Sequence, residues 1–468
     1  MNEDNSNYYS LDEQRRRSTA YIGTASYGYD MRYIINGTVR YEGTNRLGKA
    51  RSSRWLPTWN VSGAWNADAE SWFQNPVLAT AKLRLSYSLT ADAGPGSISN
   101  ALAIYRPSRP WRQDTDAYEQ ALFLSELANS ELTYEKKHEF DIGADLGFLN
   151  NRLNVVFDWY TRNNFDLIGQ VYTQGVGGQL RKWANNASMK SHGVEFTISS
   201  RNIQSRDFSW NTDFTFAYSK NTITDLKSRS SVMNLIQGSG YAIEGYPVRA
   251  LFSIPFVGLN ENGIPQIINE NGEVTTSDIN FQEYDKIDFL KYEGPVDPTM
   301  QGGLGNTLNW KGFHLNVFLT YAFGNKLRLD PVFAAAYSDL SAMPKEFKNR
   351  WVMPGDEKYT NIPAIASTMQ VFNDQYISRA YNAYNYSTAR VADGGFIRLK
   401  EVSLTYDIPS VITRALRINN ASVKLQGTNL FLLYSDKKLN GQDPEFFYSG
   451  GVAAPTPRQM TFTLRFGL

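Results

Sequence analysis

The chain contains no cysteine, so it can have no disulfide framework, thiolate nucleophile or Cys-ligated metal. Histidine is nearly missing as well. The 468 residues hold only His138, His192 and His314, none spaced as a metal pair, which is poor material for acid–base catalysis. Neither sign of charge dominates. Lys plus Arg is 47 against 46 for Asp plus Glu, a net charge of +1, and this excludes the basic footprint of a dedicated nucleic-acid binder. No apolar run approaches the ~18 residues of a transmembrane helix. The opening Met1-Asn2-Glu3-Asp4-Asn5 has no apolar signal-peptide core. Such an opening is expected of a cytosolic protein, or of one whose true N-terminus lies elsewhere. At ~150 residues per domain the length alone suggests two or three domains.

Aromatics, by contrast, are abundant. They reach 14 % of residues, with 28 Tyr, 26 Phe and 10 Trp, although the mean hydropathy is only −0.42. A transmembrane β-barrel reconciles the two figures, because its lumen and loops are polar while its outer face needs apolar residues and aromatic girdles. The dominant pattern is period-two alternation. Leu83, Leu85, Tyr87 and Leu89 alternate with Lys82, Arg84, Ser86, Ser88 and Thr90. Phe140, Ile142, Ala144, Leu146 and Phe148 oppose Glu139, Asp141 and Asp145. Phe208 to Tyr218 and Phe313 to Phe323 are longer runs of the same kind, and the chain closes on Met460, Phe462, Leu464 and Phe466. About 13 such segments start near residues 18, 32, 56, 80, 137, 152, 190, 208, 300, 313, 395, 421 and 458. Each has about the 10 residues that cross a bilayer at a tilt. The best helical candidate, Asp114 to Asn129, is placed in a loop.

The connections alternate in length. Asp30-Met31, Asn150-Asn151 and Lys311-Gly312 read as tight turns, 201–207 and 408–419 as short connections, and 67–79 as an imperfect member of that set. Between them lie the long stretches 43–55, 92–136, 165–189, 221–299, 325–394 and 434–457. Turns on one side and long loops on the other are the arrangement of an outer-membrane barrel, with the turns periplasmic. The first strand then runs downward and the strand count is odd, whereas single-chain bacterial barrels have even counts. The chain is therefore expected to be the later part of a barrel.

Several segments resemble the C-terminal barrel region of SusC/RagA-family TonB-dependent outer-membrane transporters. They are Val39 to Thr44, Lys82 to Tyr87, Tyr134-Glu135-Lys136 leading into Asp141 to Asp145, Asn151-Arg152-Leu153, and Asn186 to Met189 followed by His192 to Phe196. Gly294-Pro295, Asp297-Pro298-Thr299, Gly302-Gly303, Pro354-Gly355-Asp356, Phe396 to Val402, Gly427 to Leu430 and Asp443-Pro444-Glu445 complete the run. The resemblance implies a barrel of about 22 strands, of which this chain would supply the last 13. It further implies a plug and about nine strands from a separate chain or missing segment. A TonB partner acting on the absent plug and a SusD-like surface lipoprotein follow in the same way, in a dimer of such pairs. The ligand would be an oligosaccharide or a peptide, and no enzyme activity or cofactor is implied.

Individual motifs are weighed on their own residues. His192 beside Glu195 looks superficially like a base with its orienter, but both read better as lumen or rim residues. Gly302-Gly303-Leu304-Gly305 opens a strand and lacks the Lys and helix of a phosphate loop. Asp443-Pro444-Glu445 and Pro354-Gly355-Asp356-Glu357 could hold structural Ca²⁺, although neither has EF-hand spacing and a solvated turn is the better reading. Tyr105, Trp111 and Tyr118, beside Arg106, Arg109 and Arg112, and Trp351 with Tyr359 are the candidate ligand-binding residues, because exposed aromatic faces stack on sugars or grip peptide side chains. Packing of these aromatics against other loops or a lid is the equal alternative. Trp159, Trp210, Tyr218, Tyr321 and Phe323 are assigned to interfacial girdles near strand ends.

The sequence thus predicts an all-β transmembrane barrel over residues 1–468 in the bacterial outer membrane, with loops 92–136, 221–299 and 325–394 outside the cell. The rival readings are an extracellular carbohydrate-binding or adhesive β-protein, whose apolar faces would be buried against a second sheet, and a passive porin. A β-rich hydrolase ranks last.

Overall fold

The computed structural model describes residues 15–94, 104–126, 129–174, 181–332, 345–374, 376–415, 417–447 and 456–467. Thirteen strands form one sheet whose spatial order follows the chain. They are β1 (Ser18–Tyr29), β2 (Tyr33–Thr44), β3 (Trp55–Asn66), β4 (Leu78–Asp92), β5 (Glu135–Phe148), β6 (Leu153–Tyr172), β7 (Arg181–Gln204), β8 (Phe208–Leu226), β9 (Met300–Trp310), β10 (Phe313–Phe323), β11 (Phe396–Asp407), β12 (Asn420–Ser435) and β13 (Gln459–Gly467). Pairing is antiparallel from β8 through β13 and between β1 and β2.

The alternation explains the faces. In β9 and β10, Leu308 lies opposite Leu315 and Leu304 opposite Leu319; successive residues point to opposite sides, so each such pair shares the apolar face. Among the described residues that face is left open: Leu425 is 55 % and Phe462 64 % exposed. A second sheet packed on it, as an adhesive sandwich would need, is not what the described residues form.

The tight turns rest on backbone that few residues adopt. Asp30 and Met31 have φ of 51° and 55°, and Leu149, Asn150 and Asn151 have 52°, 56° and 59°. Lys311 and Gly312, at 45° and 88°, link Trp310 directly to Phe313, the two-residue turn whose twist matches that of its strands.

Two compact units make up the chain. One comprises Met1–Gly63, Ser86–Phe140 and Arg162–Ser188; the other Ala64–Leu85, Asp141–Thr161 and Met189–Leu468. The first has a small core of Leu47, Leu132 and Tyr134, with Leu56, Ile168 and Trp183 packed on it. Asn185 Nδ2 donates to the carbonyls of Thr133 at 2.9 Å and Asp166 at 2.6 Å, while its Oδ1 accepts the Thr133 N–H. Those bonds hold β7 as strand well before residue 190, and β6 runs on past 165. The connection predicted over 165–189 is therefore strand for most of its length, because polar pairing replaces the apolar alternation that marks the rest. For the same reason Trp159 and Tyr218 lie inside strands of 20 and 19 residues and not at strand ends. Asp114 to Asn129 contains the short strands Ala117–Tyr118 and Ala121–Glu126, not a helix.

In the second unit the two longest connections form a folded body. Leu235, Ile236, Ile254, Ile267 and Ala383 share one buried core. The backbone of Ile254 bonds to Tyr386 and Thr388 on the far connection. Arg328, itself buried, gives its guanidinium to the carbonyls of Ser387 (2.8 Å), Phe252 (2.5 Å) and Ile236 (3.2 Å). Burying an unpaired guanidinium would be prohibitive, so these three carbonyls fix where the segments meet.

Candidate functional site

The predicted ligand-binding aromatics fall in both units, and the structure treats them differently. In the first unit, Trp111–Arg112 pairs with Ala117–Tyr118 across a short turn, with Trp111 opposite Tyr118. Their rings meet edge to face at 5.4 Å and 67°, a geometry that the ring quadrupoles favour. Both remain open to solvent, at 51 % and 61 %, and Arg112 Nε pairs with Glu119 at 3.0 Å beside them. The pair is thus a preformed aromatic tip. Tyr105 sits in the neighbouring ladder, its backbone opposite Leu124; its side chain lies outside the described residues.

In the second unit Trp351 is not a free platform. Its ring covers Gly263, where a Cβ would stand 2.5 Å from the indole, and its Nε1 donates to Glu357 at 3.2 Å. It anchors the Pro354–Glu357 turn, so the packing alternative holds for this residue. Tyr359 is 89 % exposed. The sequence reading missed Met369, Phe372 and Tyr376, which are also exposed. Met369 and Phe372 belong to the helix Thr368–Asn373, started by a Ser367–Gln370 capping box. The signal available was the spacing of three and four residues behind a Ser-x-x-Gln start.

The polar face of the sheet carries charge. Arg84 bridges Asp145 (2.8 Å) and Asp158 (2.9 Å) from three successive strands. Glu139 is held between Lys137 and Arg162. Farther along, Glu195, Thr197, Gln301, Thr320, Lys400 and Glu445 line a concavity of about 480 Å³. Glu445 on that lining pairs with Arg398 at 3.2 Å, and Arg398 pairs also with Asp443 at 2.5 Å.

In one of the two acidic loops Asp443 and Glu445 are both engaged by the Arg398 guanidinium. In the other, Asp356 Oδ2 accepts the N–H groups of Val352 and Met353, and Glu357 those of Gly355 and Trp351. Among the described residues no three acidic or histidine side chains converge as a metal site.

His192 and Glu195 point to opposite faces of β7, since their separation is odd. His192 lies by Tyr218, with ring centroids 6.5 Å apart, so no base–orienter pair exists. His314 faces the polar side as expected, between Asn309 (2.6 Å) and Asp407 (2.8 Å).

No family model matches the chain. It is 25 % identical over 453 residues to TonB-dependent receptor P3 of Formosa agariphila, an alignment that takes in 91 % of this chain and 42 % of the relative. To the TonB-dependent receptor SusC of Bacteroides thetaiotaomicron it is 25 % identical over 473 residues, 97 % of this chain and 44 % of the relative. Among solved structures, the RagAB peptide importer in its closed-closed state superposes with a TM-score of 0.76 at 23 % identity, covering 98 % of this chain and 49 % of that one. The chain spans about half the length of the relatives it matches. These relatives are receptors and transporters, not enzymes.

Proposed function

We propose that this chain is a β-barrel portion of a SusC/RagA-type TonB-dependent outer-membrane receptor, and that it forms part of the wall and the outer loops of a nutrient importer. The observation that carries the reading is the two-faced sheet. Among the described residues one face is apolar and exposed, as lipid requires, while the other carries the Arg84 and Arg398 networks. Only closed barrels let strands cross hydrocarbon, because every backbone N–H and C=O must be paired there. β1 and β13 stand at the two ends of the strand order, so each presents an edge. We assign those edges to strands of the same transporter that also carry the plug, whose coupling to TonB would drive uptake.

The long connections face outward in this reading, with the tight turns in the periplasm. The Trp111–Tyr118 tip and Tyr359 are then the first surfaces that an incoming oligosaccharide or peptide meets, under a SusD-like lipoprotein lid. The resemblance extends the assembly to a dimer of such pairs. Purification of the affinity-tagged chain from outer membranes tests the assignment. A plug-bearing polypeptide and a surface lipoprotein should come with it, and the complex should retain labelled oligosaccharide or peptide. A heat-modifiable barrel formed by residues 1–468 alone would overturn it.

A further inference from the structure

At the tight-turn end of the second unit, the turns 205–207 and 311–312 enclose a concavity of about 260 Å³. Its lining is basic and hydroxylic: Arg206, Lys311, Ser205, Ser209 and Asn309, with Asp207 as the single carboxylate. Among the described residues neither cation forms an ion pair. Lys311 instead holds its Nζ over the Trp310 ring, 5.9 Å from the centroid.

Trp310 belongs to the concavity and to the apolar face at once. Its ring stacks on that of Phe313 with centroids 6.3 Å apart, and Phe313 meets Tyr406 in a tilted pair with centroids 4.4 Å apart. Trp310 and Phe313 are exposed. A polar cup with surplus positive charge therefore opens beside a row of three aromatics on the uncovered face.

We propose that this cup binds the phosphodiester headgroup of a membrane phospholipid. Arg206 and Lys311 neutralise the phosphate, the Ser209 hydroxyl (which accepts from Asn309 Nδ2 and keeps its own proton to give) and the second Asn309 Nδ2 proton offer hydrogen bonds, and the Trp310–Phe313–Tyr406 row lies along the glycerol and upper acyl chain. Charge complementarity and continuity with the lipid-facing surface select this occupant. A free anion would use the cup and leave the aromatic row unexplained. Aromatic rings prefer the headgroup level of a membrane, where one end of the ring is apolar and the other wet. A basic residue near an anionic membrane surface contributes about 1 kcal/mol, which corresponds to roughly fivefold in affinity.

The inference rests on the membrane-barrel reading, and the test separates the two. The chain, purified from outer membranes with the polypeptides it assembles with, is titrated with phosphatidylglycerol, with diacylglycerol of the same acyl chains, and with inorganic phosphate, and adducts are counted by native mass spectrometry. One phosphatidylglycerol should bind in preference to diacylglycerol, and inorganic phosphate should not displace it. The double variant Arg206→Gln, Lys311→Gln should lose on the order of 25-fold in affinity, two factors of five, and Trp310→Ala should weaken both lipids. The control pair Lys345→Gln, Lys348→Gln should change nothing. Equal binding of the two lipids, displacement by phosphate, or an unchanged double variant overturns the site while leaving the barrel intact. Absence of heat-modifiable folding in the unaltered complex would instead remove the membrane reading and the site together.

Discussion

The Tyr321 hydroxyl donates to the backbone carbonyl of Thr215 at 2.9 Å, crossing directly over Gly302. Gly302 lies opposite both Phe216 and Tyr321 in the ladder. A Cβ there would stand 2.0 Å from the Thr215 oxygen and 2.5 Å from the Tyr321 hydroxyl oxygen. The ring thus fills the space a side chain would occupy and closes the β8–β9–β10 seam, a known way of covering a strand glycine. Gly302→Ala should destabilise the folded barrel by about 1–3 kcal/mol, the usual range for overpacking. Gly23→Ala, where nothing lies within 4 Å, should be neutral. Urea midpoints of the heat-modifiable form measure both, and equal midpoints would show that the crossing is not needed.

The uncovered apolar face makes a sharper demand at mid-strand. Val317 and Asn316 are neighbours on β10 and face opposite ways, Val317 opposite Val402 and Asn316 opposite Ser403. Val317→Arg would put a charge into lipid and should cost about 2–4 kcal/mol. Asn316→Arg faces the polar side and should be tolerated. Assembly into outer membranes, followed by gel shift on heating, distinguishes them. Equal damage from the two would mean that both faces of the sheet are buried.

How much of this was legible depends on distance along the chain. Strand starts read near 18, 208, 300 and 313 coincide with β1, β8, β9 and β10, because alternation is written within each strand. The start read near 190 is off by nine residues, since β7 begins at Arg181 in a stretch held by Asn185 and not by apolar side chains. The sequence leaves Trp351 evenly divided between ligand platform and loop packing because its partner, Gly263, is remote along the chain. The loop core around Arg328 was invisible for the same reason: its carbonyl acceptors lie 59 to 92 residues away. The aromatic tip was legible, since Trp111 and Tyr118 sit on one hairpin.

That tip yields a prediction about binding alone. Trp111 and Tyr118 contact each other and solvent, so Trp111→Ala or Tyr118→Ala should leave barrel stability unchanged and weaken ligand capture. Base or sugar stacking on one aromatic face is worth on the order of 1 kcal/mol, so roughly a fivefold rise in Kd is expected for each variant. Isothermal titration of the complex with the oligosaccharide or peptide proposed as its ligand checks this. A fall in stability without loss of affinity would return both residues to a packing role.

Arg398 and Asp443 form the most enclosed ion pair described, with side-chain exposures of 6 % and 8 %. Removing one partner leaves the other charge buried, so Asp443→Asn and Arg398→Gln should each cost about 3–5 kcal/mol. The double variant should cost less than the sum, because it removes both charges of the pair and leaves neither one buried alone. Additive losses in a double-mutant cycle would show that the two residues act independently.

The Pro354–Glu357 turn should respond to pH. Hydrogen bonds from the Glu357 backbone N–H first, and then from Gly355 N–H and Trp351 Nε1, hold the Glu357 carboxyl below its usual range, against a smaller opposing effect of desolvation. A depressed carboxyl contributes stability that is fully present above its unfolded-state value and is lost as pH falls through the folded one. The turn should therefore be closed at neutral pH and loosen only as the solution is acidified past the ordinary glutamate range. Trp351 reports this directly, because its indole N–H donates to Glu357 while its ring seals Gly263. With fluorotryptophan incorporated at that position, the ¹⁹F resonance should shift on acidification, and Glu357→Gln should flatten the shift. The same titration in the Glu357→Gln chain as in the unaltered one would mean that another group governs the turn.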